Sequence, residues 1–221
     1  MPSRSTWLER GLLISGVISA LLFIAEVGKE SVAVRVILKS APLLCLMAWV
    51  RLTARDRYAD LILVGLLFSL AGDVLLELSA DLFVPGLIAF LIGHGWYIAA
   101  FLSVTRQLKL RRALPFAGWV IVAYLILLPG LKDMAAPVAA YVIVIGSMMW
   151  RSSVTVTSPP MRWQWLALIG AVLFGLSDTL LAIKKFNGLA IGPHFTVIGL
   201  YWLGQLGLAL SVKRGATDKN G

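Results

Sequence analysis

Three side chains able to carry charge stand inside long apolar runs of this sequence: Lys39, Asp73 and Asp178. A charge at the middle of a bilayer costs at least about 2.5–3.5 kcal/mol, so such residues normally face the interior of a helix bundle and have a use there. Two carboxyls held close together in a low-dielectric site cannot both ionise comfortably: one keeps its proton near neutral pH while the other stays an anion. That pair suits a reaction needing a proton donor together with a stabiliser of positive charge or an activator of water. Glu77 lies one helical turn beyond Asp73, and His94, Tyr97, Tyr201 and Gln205 add polar tips in other runs. The same three charges would also serve a transporter or receptor as a solute site or proton relay. Lys39 with one aspartate would equally serve as a buried ion pair that fixes helix packing.

The elements that must position these residues follow from the solvent the composition implies. Of 221 residues 59% are hydrophobic and 14% charged, with mean hydropathy +0.88, where soluble domains carry about a quarter charged residues. Apolar segments fall near Leu8 to Ala25, Val32 to Val50, Asp60 to Leu78, Leu82 to Val104, Ala113 to Leu131, Met134 to Trp150, Trp163 to Ile183 and Pro193 to Val212. Each is long enough for a hydrocarbon core about 30 Å thick, and each must be helical because lipid offers the backbone no hydrogen-bond partner. The expected fold is therefore all-α: a polytopic membrane bundle of eight transmembrane helices, forming one integral membrane domain over residues 1–221. Gly65, Asp73, Leu75 and Leu76 recur at a constant offset as Gly170, Asp178, Leu180 and Leu181. That echo allows two parallel halves of four helices, about 1–105 and 106–221.

Charge between the runs orients the bundle. Arg51, Arg55 and Arg57 follow the second run; Arg106, Lys109, Arg111 and Arg112 follow the fourth; Arg151 and Arg162 flank the next loop on that side. With Arg4 and Arg10 at the start and Lys213, Arg214 and Lys219 at the end, the positive-inside rule places both termini in the cytosol. The net charge of +9 lies in short clusters between apolar runs, which points to anionic lipid headgroups and not to nucleic acid. The sequence shows no obligatory protein partner. A single cysteine, Cys45, excludes an internal disulfide framework and a multi-cysteine metal site. Trp7, Trp49, Trp150 and Trp163 fall near run ends, as an interfacial aromatic belt requires. The stretch Ser152 to Ser158 before Pro159 and Pro160 reads as a cytosolic loop, and Pro42, Pro85, Pro115 and Pro129 kink or start helices. Gly72, Gly93, Gly95, Gly199 and Gly204 let helices approach closely.

Depth joins the polar residues. At about 1.5 Å per residue, Asp73 and Asp178 lie roughly 8 Å from the outer ends of their runs and Lys39 roughly 10 Å from its own. Tyr201, His94 and Gln205 lie deeper, at about 12, 16 and 18 Å. The expectation is one polar pocket open to the non-cytosolic side. An intramembrane aspartyl protease, which also uses two helical aspartates, fits poorly: Leu70-Ala-Gly-Asp73 lacks the first glycine of its Gly-x-Gly-Asp signature, and Asp178 follows Ser177 where a tyrosine belongs.

The stretches Gly65-Leu-Leu-Phe-Ser-Leu-Ala-Gly-Asp73, Gly93-His-Gly-Trp-Tyr-Ile-Ala-Ala-Phe101 and Gly170-Ala-Val-Leu-Phe-Gly-Leu-Ser-Asp178, with Leu181, Ala182 and Phe186 following, resemble the YhhN family of lysoplasmalogenases. Lys39 with Pro42, and Tyr201 with Gln205, match two further positions, while Ser40 and Trp202 depart from the family pattern. The resemblance implies an ether hydrolase that acts on a lysophospholipid with one alk-1-enyl chain and a phosphoethanolamine or phosphocholine headgroup. The products would be a fatty aldehyde and a glycerophospho-alcohol. It implies Asp73 and Asp178 as the acid-base pair, with Lys39, Glu77, His94, Tyr97, Ser177, Tyr201 and Gln205 on the substrate side. No metal or other cofactor is required. The implied location is a bacterial inner membrane or a eukaryotic endomembrane.

Overall fold

The structure is a computed structural model that describes residues 4–26, 31–193 and 195–214, with the side chains of 4–6 and 26 excepted. Lys219 and the side chain of Arg4, both used above to orient the chain, lie outside the described residues. Eight α-helices occur among the described residues: α1 (Arg4–Glu26), α2 (Val32–Thr53), α3 (Arg57–Leu78), α4 (Phe83–Val104), α5 (Leu114–Leu131), α6 (Ala135–Thr155), α7 (Arg162–Asn187) and α8 (Thr196–Leu210). Local chemistry sets several ends. The Asp56 carboxylate accepts the Ala59 N–H at 2.9 Å to cap α3, Pro115 stands in the first turn of α5, and Gly188 at φ +70° ends α7. Large apolar side chains cover the outside, among them Ile14, Leu21, Leu44, Leu67, Ile121, Leu125, Ile169 and Leu203. Such a surface is stable against hydrocarbon and not against water. Six stretches are long and apolar enough to cross a membrane; one of them, Leu110–Thr155, contains both α5 and α6, while α8 is a shorter apolar helix. The protein is a multi-pass, all-helical membrane protein.

Three expectations change: Gly95 and Gly199 face open space, so neither is needed for a close helix approach. The Ser/Thr stretch does not begin a loop at Ser152, because α6 continues to Thr155. Ser152, Ser153 and Thr155 are buried and each hydroxyl donates to the carbonyl three residues back, so the helix satisfies its own polar side chains. Of the proposed belt, Trp7 is exposed, but Trp49 and Trp163 are buried against protein; their rings fill the bundle instead of anchoring it at an interface.

The described residues group into two compact units, those within Met1–Trp96 and Val212–Gly221 forming one and those within Tyr97–Ser211 the other. In the first, α1 packs on α2 and α2 on α3. Pro42 cannot donate the helical hydrogen bond that the Leu38 carbonyl would receive, and the Ser19 hydroxyl of α1 donates to that carbonyl at 3.0 Å. Glycine allows α4 to approach α3: a Cβ at Gly93 would stand 3.2 Å from the Gly65 carbonyl, and one at Gly72 would strike the Phe90 ring. Arg214 returns to the start of α3, where it pairs with Asp56 at 2.7 Å and covers the Tyr58 ring at 5.0 Å.

In the second unit, Ala123, Leu127 and Leu131 of α5, Val138 and Val142 of α6 and Ile183 of α7 form a buried apolar cluster. α7 and α8 meet backbone to backbone: a Cβ at Gly170 would lie 2.7 Å from the Leu208 nitrogen and 2.8 Å from the Gly204 carbonyl. The segment between α4 and α5 is tied to the end of α6 from both sides. Buried Arg151 donates to the carbonyls of Gln107, at 2.7 Å, and Thr105, and Arg112 donates to those of Ser153 and Val156 at 2.6 and 2.8 Å.

At the α3 cap, burial alone pushes the Asp56 carboxyl up, but the Ala59 and Tyr58 N–H groups and the Arg214 guanidinium outweigh it and hold the group below its ordinary value of 3.8. A carboxyl lowered on folding stabilises the folded state above its unfolded value, and that contribution disappears as pH falls through the folded value. Asp56→Asn is therefore expected to lower the thermal midpoint in detergent at pH 7, with the gap from the unaltered protein closing on acidification below 3.8. A gap that stays constant across this range would contradict the assignment.

Candidate active site

In the first unit, α2 and α3 each present two charges one turn apart, Arg35 with Lys39 and Asp73 with Glu77, a spacing that puts each pair on one helix face. Arg35 Nε meets Glu77 Oε1 at 2.7 Å, Lys39 Nζ meets Glu77 Oε2 at 3.3 Å, and Lys39 Nζ stands 3.6 Å from Asp73 Oδ1. The last distance is an ion pair but too long for a hydrogen bond. Side-chain exposure falls along the row from 28% at Arg35, through 17% at Glu77 and 12% at Lys39, to 3% at Asp73. The row thus leads from the rim of the helix pair to a buried carboxyl, with two positive and two negative charges opposed throughout. The Ser40 hydroxyl beside Lys39 is buried and has no hydrogen-bond partner among the described residues. His94 is fully buried on α4, its Nδ1 2.6 Å from the Phe90 carbonyl. That carbonyl accepts only if Nδ1 carries the proton.

In the second unit, Asp178 is half-buried on α7 and its Oδ2 accepts the Tyr141 hydroxyl of α6 at 2.7 Å. The neighbouring Ser177 hydroxyl donates to the Val197 carbonyl at 2.8 Å and so pins α7 to α8. One turn before Asp178, Phe174 meets two tyrosine rings edge-on, Tyr97 at 6.2 Å and Tyr201 at 5.2 Å between centroids. Fully buried Tyr97 donates to Gln205 Oε1 at 2.7 Å, and the Gln205 amide nitrogen is buried with no hydrogen-bond partner among the described residues. A buried amide N–H₂ of this kind has two donors to offer.

The structure therefore brings Lys39, Glu77 and Asp73 together in one row and Tyr97, Tyr201 and Gln205 together around Phe174. Two residues join the site that spacing passes over. Arg35 sits near the start of its run, where a cation can be taken for an interfacial residue; its position four before Lys39, mirrored by Glu77 four after Asp73, is the signal. Tyr141 has no partner in its own run, and only tertiary packing shows that its hydroxyl meets Asp178. Among the described residues no group of three or more His, Cys, Asp and Glu is placed to hold a metal ion.

The Tyr97–Gln205 bond gives a test of this geometry. Tyr97→Phe leaves a buried amide oxygen unsatisfied and is expected to cost about 1–3 kcal/mol. Adding Gln205→Leu is expected to cost much less than the two single changes together, read from thermal unfolding of all four proteins in detergent. Additive losses would show that the two side chains do not interact.

Comparison with known proteins places this architecture. Residues 34–212 match the YhhN family. The human protein named lysoplasmalogenase TMEM86A is 32% identical over 190 residues, covering 80% of this chain and 78% of that protein. The mouse lysoplasmalogenase TMEM86B is 32% identical over 182 residues, 82% of this chain and 76% of the relative. A lysoplasmalogenase of Mycobacterium bovis is 30% identical over 152 residues, 62% of this chain and 53% of that one. No solved structure matches the chain.

Proposed function

We propose, since this chain belongs to the YhhN family, that it is a lysoplasmalogenase, hydrolysing the vinyl ether bond of a lysophospholipid to a fatty aldehyde and a glycerophospho-alcohol. The observation that carries the reading is the likeness at about a third identity, over most of both chains, to proteins bearing that name. The buried polar groups support it, because vinyl ether cleavage needs acid more than it needs a nucleophile. One of Asp73 and Asp178 delivers a proton to the β-carbon, the double bond shifts, and an oxocarbenium ion forms at the carbon bearing oxygen. The other carboxylate steadies that cation and accepts a proton from the water that attacks it. The resulting hemiacetal breaks its bond to the glycerol oxygen, which takes up a proton, and aldehyde and alcohol leave. Lys39 holds Asp73 in place and favours an anionic headgroup oxygen nearby. Tyr141 does the same positioning for Asp178, and the donors of Gln205 suit water or the glycerol hydroxyl.

The protein purified in detergent is expected to release aldehyde from lysoplasmalogen with no membrane gradient, and more slowly from diradyl plasmalogen or ester lysophospholipid. In heavy water the aldehyde should carry one deuterium on the carbon next to the carbonyl. Asp73→Asn and Asp178→Asn should each lower the rate by about 10²–10⁴-fold, the range of general acid-base catalysis. Release that persists in both variants would refute the acid-base roles, and aldehyde free of solvent deuterium would refute protonation at carbon.

We further propose eight crossings with both termini on the cytosolic side, on the strength of the basic clusters flanking alternate helices. In a Cys45→Ser background, Lys109→Cys and Thr157→Cys should react with an impermeant maleimide from the cytosolic side and Leu189→Cys from the opposite side. Labelling of all three from one side would overturn this topology.

A further inference from the structure

One apolar concavity and one cationic segment in the second unit have no part in the chemistry above, and they adjoin. A cavity of about 250 Å³ lies between α5 and α6, lined by Ala113, Ala117 and Val120 on one helix and Gly146, Ser147 and Trp150 on the other, among others. Gly146 lets α5 and α6 approach beside it, since a Cβ there would strike Val120. Its lining runs from Ala113 to Ile121 along α5, about 12 Å at the helical rise. Apart from Ser147 and the Trp150 indole its lining is apolar, which suits a hydrocarbon chain more than a polar ligand. Ala113 and Trp150 stand at one end, the start of α5 and the close of α6.

That end is also where the charge stands. Ala113 follows directly on the segment bearing Arg106, Lys109, Arg111 and Arg112. Arg112 through Nη1 and Arg151 through Nη1 and Nη2 donate to backbone carbonyls, which fixes the segment against the end of α6. Arg106, Lys109 and Arg111 are exposed, and no carboxylate among the described residues pairs with them. Three exposed cations thus belong to the segment that leads directly into the residues lining one end of an apolar groove. A molecule that matches it has an anionic head and a long apolar tail.

We propose that the α5–α6 groove binds an anionic phospholipid of the surrounding bilayer, one acyl chain lying in the groove and its phosphate held by Arg106, Lys109 and Arg111 of the segment that leads into α5. The site is independent of the hydrolytic reading, and its ligand differs from that substrate in carrying net negative charge and ester-linked chains. Basic segments beside membrane helices gain about 1 kcal/mol per Lys or Arg from anionic lipid, a factor of about five each.

Native mass spectrometry of the purified full chain, exchanged into neutral detergent and offered phosphatidylglycerol or phosphatidylcholine of identical acyl chains, tests this directly. Retention of phosphatidylglycerol is expected to exceed that of phosphatidylcholine by about a hundredfold at low ionic strength, three such factors combined. The combined variant Arg106→Gln, Lys109→Gln and Arg111→Gln should abolish the preference. Ala117→Phe, which fills the groove from an exposed position, should reduce retention of both lipids while the protein stays folded by circular dichroism. Equal retention of the two lipids by the unaltered protein would overturn the proposal. So would a preference that survives the charge removal, binding unaffected by Ala117→Phe, or displacement of the lipid by inorganic phosphate alone.

Discussion

The opposition of Arg35 and Lys39 on α2 to Glu77 and Asp73 on α3 is the constraint to which the first unit answers. Any one of these charges alone in an apolar surround would cost several kcal/mol. Set in register across two packed helices they neutralise one another pairwise, and exposure can fall from 28% to 3% along the row. Register is therefore not free: sliding α2 past α3 by one turn would leave one cation and one anion without their partners. Helix packing, which in lipid lacks the hydrophobic drive it has in water, here receives a directional term. The same pairing delivers a carboxyl to the interior of the unit.

In the second unit neutral groups do the corresponding work. Asp178 meets a phenol, Tyr97 meets an amide, and Phe174 separates two tyrosine rings by edge-on contact. Glycine sets the distance between α7 and α8, since Gly170, Gly204 and Gly207 leave room for nothing larger between the backbones. Gly65 with Gly93 does this between α3 and α4. In each unit the glycine that opens the aspartate-bearing stretch is thus a packing residue, and the aspartate eight positions on is the polar one. A single pattern of sequence encodes both the approach of the next helix and the group it shields.

Most of the architecture is legible in the sequence because lipid permits few solutions: a long run with few charges has to be a helix, and six stretches satisfy that by length and composition. Lys39, Asp73 and Asp178 stand out for the same reason, being expensive where they lie. What escapes is anything decided by contact. Trp49 and Trp163 sit at run ends yet face protein, and nothing in their spacing says which way an indole turns. The helix through Ser152, Ser153 and Thr155 persists because each hydroxyl bonds back to its own turn, although residues of this type ordinarily favour leaving a helix. Tyr141 declares itself only when α6 is laid against α7.

The bond from Ser19 to the Leu38 carbonyl has a reach beyond α1. Proline at 42 strips that carbonyl of its natural donor one residue before Lys39, so the peptide plane carrying the ammonium would otherwise be free to tilt. A hydroxyl borrowed from another helix fixes that plane, and with it the azimuth at which the lysine leaves the backbone. Helix α1, with little of its own surface buried, thereby acts as a distant steering arm for Lys39. Loss or remodelling of α1 would be felt as a misaimed charge well before it was felt as an unfolded protein.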